Sequence, residues 1–184
     1  KRTVYCAEDT NTTAVGGSAR RGQISPKNLL STTITDQLKM ATQGRAKVVG
    51  ISVKDRGSAL PAGHRADAAY WFDSNTGEMM TSSFYMDELP DWVNEFNEQK
   101  LPAKYLSQTW NTILPIEQYT ASGADANAYE VRLSDDAEPV FPYDLAKINQ
   151  NSNNYGLLST TPFGNSLVVE FAQSAIVAED MGQD

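Results

Sequence analysis

Val48-Val49-Gly50-Ile51-Ser52-Val53 is apolar without alternation, broken only by one small hydroxyl. Continuous apolar character suits a strand covered on both faces, as strands of parallel sheets are, so a strand is expected over Lys47–Val53. Lys54-Asp55-Arg56-Gly57 breaks the pattern at once. In open α/β sheets ligands gather at the carboxyl ends of strands, which is where these charges fall. If the chain stays extended for one more step, Lys54 and Arg56 point the same way and Asp55 points opposite. Arginine offers a planar fork of donors and lysine a compact point charge, so the pair suits a terminal phosphate better than a neutral group. The plainer alternative is that both are solvated charges following a strand.

The neighbouring pattern reads as α/β. Ser25-Pro26 resembles the N-cap and first position of a helix ending at Gly44, with Leu30, Ile34, Leu38 and Ala41 as its core-facing stripe. Ala68–Phe72 and Met79–Tyr85 flank the turn residues Asp73-Ser74-Asn75-Thr76-Gly77 and predict a hairpin. Leu89, Trp92, Val93 and Phe96 recur at helical spacing, as do Leu167, Val168, Phe171, Ala175 and Ala178 in a closing helix over about 162–181, with Gly182 beyond its end. Between 101 and 155 the signal weakens into prolines and Asn/Ser/Asp clusters. An irregular insertion or β-rich cap is expected there, with a short strand near 128–133.

At 184 residues the chain is long enough for one domain with a core. A net charge of −8 argues against nucleic acid as a partner, since phosphate backbones demand a basic footprint. No apolar run approaches membrane-spanning length. The one cysteine, Cys6, can form no internal disulfide; it would pair outside this sequence or, the favoured reading, sit buried as a small apolar residue. The one histidine, His64, has no ligand cluster beside it in sequence and suits a hydrogen-bonded structural role better than metal ligation. Asp135-Asp136-Ala137-Glu138 lacks calcium-loop spacing and reads as a solvated acidic loop.

KVVGISVKDRGSALPAGHRADAAYWFD, together with SPKNLLSTTITDQLKMAT before it and TGEMMTSSFYMDELPDWVNEFN and TTPFGNSLVVEFAQSAIVAEDMG after it, resembles the alkaline phosphatase superfamily. The nearer resemblance is to secreted bacterial alkaline phosphomonoesterases with a threonine nucleophile, built on the type I phosphodiesterase/nucleotide pyrophosphatase fold. The matching pieces occur in order and leave only roughly 117–154 without a motif. The resemblance implies part of an alkaline-phosphatase-like sheet flanked by helices, and it places Lys54 and Arg56 where the family contacts the transferred phosphoryl group. It also implies two zinc ions with several Asp and His ligands.

One histidine cannot supply such a zinc site, so no catalytic or metal-ligating residue is expected in this chain. Residues 1–184 are expected to be the central part of a larger catalytic domain, from a periplasmic or secreted phosphomonoesterase, with nucleophile and zinc ligands outside this sequence. Alone it should be inactive. A phosphodiesterase of the same superfamily and a non-catalytic extracellular binding module, such as one for carbohydrate, are the alternatives. The charge of the pair favours the dianionic monoester over the monoanionic diester.

Overall fold

The computed structural model describes residues 4–134 and 138–182, so the Asp135-Asp136-Ala137 part of the acidic loop lies outside the described residues. A four-stranded mixed sheet organises the chain, in the order β1 (Ala14–Val15), β4 (Glu78–Ser82), β3 (Ala68–Asp73), β2 (Val49–Ser52). The parallel neighbours β2 and β3 are joined by helix α2 (Asp55–Ala62); β3 and β4 form the hairpin predicted from Asp73–Gly77.

It is β3, not β2, that is covered on both faces: all six of its residues are buried. Ala68, Tyr70 and Phe72 face one layer, where Tyr70 and Phe171 meet edge to face at 5.3 Å and Phe96 packs on Phe171 at 4.9 Å. That layer contains α3 (Asp91–Glu98) and α6 (Phe163–Ala178), whose stripes were legible in the sequence. Ala69 and Trp71 face the other layer with Ala59 and Ala62 of α2 and with Ala7 and Ile24. The β2 strand is half-buried because, among the described residues, only β3 pairs with it.

Several expectations are corrected. Helix α1 spans Ile34–Ala41, not Ser25–Gly44, and is opened by a capping box between Thr33 and Asp36. Ser25 instead donates its hydroxyl to Asp9 (2.6 Å), and Pro26 only closes a turn onto the Leu29 N–H. The apolar stripe faces outward, with Leu30 100% and Ile34 85% exposed, while Asp36 and Lys39 face inward. Polar anchoring explains the inversion: Asp36 accepts the Arg65 N–H (2.9 Å) and Lys39 pairs with Asp67 (2.7 Å), fixing that face on the α2–β3 connection.

No strand forms over 128–133, where Tyr129 and Val131 are 81% and 87% exposed with no neighbouring strand to cover them. Among the described residues between 101 and 155, the strand content is a two-stranded ribbon, β5 (Thr109–Trp110) with β6 (Tyr143–Asp144). Helices α4 (Leu101–Leu106) and α5 (Leu145–Asn149) flank it, and Leu106, Tyr143 and Leu145 join the main core. At the end of α6, Ala178 is exposed, and Asp180 (φ 51°) and Gly182 (φ 77°) both take positive φ beyond it.

Candidate phosphate-binding cleft

The β2 strand stops at Ser52 because its hydroxyl turns back to accept the Lys54 N–H (3.2 Å). Lys54 remains extended (φ −106°, ψ 135°) as the residue before α2, and Asp55 begins the helix. Gly57 allows this tight junction: a Cβ there would stand 2.7 Å from the Ser52 hydroxyl. Because the backbone turns helical at Asp55, the expected alternation fails, and Asp55 does not point away from its neighbours. Lys54, Asp55 and Arg56 all line one cleft of about 240 Å³, together with Tyr5, Arg21, Trp71 and Ser159.

Lys54 and Arg56 are both exposed, at the carboxyl end of β2 and the amino end of α2. Asp55 accepts the Tyr5 hydroxyl (2.5 Å) and the Arg56 backbone N–H (2.5 Å). Arg56 Nη1 donates to the Tyr5 oxygen at 3.0 Å, and its guanidinium carbon lies 5.8 Å from the Tyr5 ring centre. Burial, then donation to Asp55, pushes the Tyr5 hydroxyl above the ordinary tyrosine range against the opposing pull of Arg56. The bond to Tyr5 in turn raises the Arg56 guanidinium, which stays charged. Arg21 brings a third cation, its Nη2 3.4 Å from Ser74 Oγ. Three cations against the one carboxylate of Asp55 leave this cleft positive in a chain of net charge −8. A helix amino terminus at its wall adds to that potential.

The cleft brings Lys54 and Arg56, singled out in the sequence, together with Tyr5 and Arg21, which carry no motif and arrive only through the fold. A larger cavity, about 1090 Å³, opens beside the β5–β6 ribbon and is lined by Trp110, Tyr119, Tyr129 and Phe141. Its charged lining residues are Glu117, Asp125 and Glu130, which would repel a phosphate.

His64 is held as a structural residue, with Nε2 3.1 Å from the Leu29 carbonyl and Nδ1 3.4 Å from Asp36. Cys6 is exposed, against the buried reading, because it occupies a turn closed by the Glu8 N–H on the Tyr5 carbonyl (3.1 Å) and only Ala7 turns inward. Among the described residues no group of three or more His, Cys, Asp or Glu side chains could hold a metal ion, so the donor set here does not fit a two-zinc centre. No described helix is long and apolar enough to cross a membrane.

No family model matches the chain. It is 51% identical over 182 residues to the alkaline phosphatase PhoV of Synechococcus elongatus, covering 99% of this chain and 33% of that protein. It is 49% identical over 185 residues to the alkaline phosphatase PafA of Elizabethkingia meningoseptica (100% and 34%) and 49% identical over 181 residues to a Myroides odoratus protein named calcium-transporting ATPase (98% and 33%). The crystal structure of wild-type PafA matches with a TM-score of 0.93 at 49% identity, over 98% of this chain and 35% of that one. A PafA variant with a Thr→Ser change and alanine in place of an asparagine, a lysine and an arginine matches equally, at 0.93 and 48% identity. The chain thus spans about a third of the length of the relatives it matches. Along its whole length it is similar, in sequence and in mixed α/β fold, to about a third of the alkaline phosphatases PhoV and PafA.

Proposed function

We propose that this chain is the phosphate-clamping section of an alkaline phosphatase that hydrolyses phosphate monoesters, with Lys54 and Arg56 contacting the transferred phosphoryl group. The observation that carries the reading is the positive cleft at the carboxyl end of β2 in an otherwise acidic chain. A monoester presents a dianionic phosphoryl group whose oxygens gain charge stabilisation from preorganised donors, and a fork beside a point charge supplies that.

The PafA variant supports the assignment. The lysine and arginine replaced in it stand two positions apart, and Lys54-Asp55-Arg56 is the one Lys-x-Arg in this sequence. The section of that variant matched by this chain has the same TM-score, 0.93, as the wild type. The threonine and asparagine replaced alongside them stand farther ahead of that lysine than Lys1 stands ahead of Lys54, which supports a nucleophile outside this sequence. The two zinc ions implied by the family resemblance would likewise be held by residues outside this chain. A periplasmic or secreted address, and small phosphate esters as partners, belong to the same reading.

The test is kinetic and uses the full-length protein. Arg56→Ala and Lys54→Ala should each lower kcat/KM for an aryl phosphate monoester by about 10²–10³-fold, the cost of one preorganised donor, and lower diester turnover far less. Equal losses on both substrates would contradict the clamp. ATP belongs in the same series because of the ATPase-named relative: its terminal phosphoryl is also dianionic and should show the monoester pattern.

A further inference from the structure

Tyr5 belongs to the turn before β1 and Arg56 to the first turn of α2, 51 positions away, yet they meet in the wall of the cleft. An exposed arginine on a flexible stem samples many rotamers, and a fork that must present its donors to a phosphoryl group gains from being held. The Tyr5 oxygen does this in a defined direction. Its proton goes to Asp55 Oδ1 (2.5 Å), which turns its lone pairs toward Arg56 Nη1 (3.0 Å), while the ring lies under the guanidinium at 5.8 Å. Asp55 is fixed in turn by the Arg56 backbone N–H, so the three groups form a closed loop of contacts. One N–H of the fork is committed to Tyr5, and no other side-chain hydrogen bond of Arg56 occurs among the described residues. The remainder is available to a ligand in the cleft.

We infer that Tyr5 is a positioning residue for Arg56, with Asp55 orienting the Tyr5 hydroxyl; this rests on the phosphate-clamp reading above. Tyr5 acts through the guanidinium and need not touch substrate. Its hydroxyl is held above the ordinary tyrosine range by burial and by donation to Asp55, which favours the protonated form that the arrangement uses.

The test is a double-mutant cycle in the full-length protein. Tyr5→Phe keeps the ring and removes the hydroxyl; it should lower kcat/KM for a phosphate monoester roughly tenfold, the scale of one hydrogen bond to a charged group. Inhibition by inorganic phosphate should weaken in parallel. In an Arg56→Ala background the same substitution should cost nothing further. Asp55→Asn provides a second route and should give a smaller loss, also absent when Arg56 is alanine. Tyr5→Phe with wild-type kinetics, or with an equal loss in both backgrounds, overturns the inference and leaves the clamp standing. An Arg56→Ala protein with undiminished monoester turnover removes the clamp itself and the role of Tyr5 with it.

Discussion

Gly63 closes α2 at φ 82° and ψ −172°, a backbone region that is essentially glycine's alone. A Cβ there would stand 2.3 Å from the Thr33 hydroxyl and 2.6 Å from Asp36 Oδ2, inside the capping box of α1. Gly63→Ala should therefore destabilise the chain by roughly 2–4 kcal/mol, combining backbone strain with a damaged cap, and a urea midpoint measures it. The residue-scale contrast with Lys54 and Arg56 is instructive. Those two stood out because polar residues abruptly follow an apolar strand, a signal contained in ten consecutive positions. Tyr5, Arg21 and the solvent-facing Cys6 had no such signal, since their surroundings are assembled from segments distant in sequence.

Elements were legible where apolar periodicity decided their packing, as in the β3–β4 hairpin, α3 and α6. Helix α1 was misread because polar contacts, invisible to periodicity, choose its inward face. This has a measurable consequence. Burial alone would push the Asp36 carboxyl up, but the Thr33 and Arg65 N–H groups, the Thr33 hydroxyl and His64 outweigh it and hold it below the usual carboxylate range. Asp9 behaves alike: burial is outweighed by Lys27, Ser25 and the Asn11 N–H. Both folded-state values are depressed, so the stability they contribute is complete above the unfolded-state value, about pH 3.9, and is lost as pH falls through the lower folded values. Urea unfolding of the chain from about pH 7 down to about pH 3 should show stability declining below about pH 4. Asp36→Asn should lower stability at neutral pH by about 1.5–3 kcal/mol and make the acid decline shallower, as the charged acceptor is already gone. An unchanged acid slope in that variant would contradict the role given to Asp36.

Across the whole molecule, the sheet separates two apolar layers, and Phe171 is the contact point of one of them. It is fully buried and touches the rings of Tyr70, Trp92 and Phe96. Phe171→Ala should cost about 3–5 kcal/mol in chemical denaturation because the surrounding rings cannot all collapse into the space. The α/β class and the family resemblance were readable from ordered motifs, while residues 117–154 offered none. That stretch nevertheless falls within alignments covering 98% to 100% of the chain. What composition could not show is that a chain of charge −8 gathers Arg21, Lys54 and Arg56 into one cleft while leaving no metal-binding cluster among the described residues. The most direct test of the claim that this chain supplies a phosphate clamp to a site completed elsewhere is zinc analysis with a phosphate-monoester assay, on the isolated 184-residue chain beside the full-length protein. The expected result is turnover with tightly held zinc in the full-length protein, and neither stoichiometric zinc nor turnover in the isolated chain. Two tightly bound zinc ions and monoester hydrolysis by the isolated chain would contradict it.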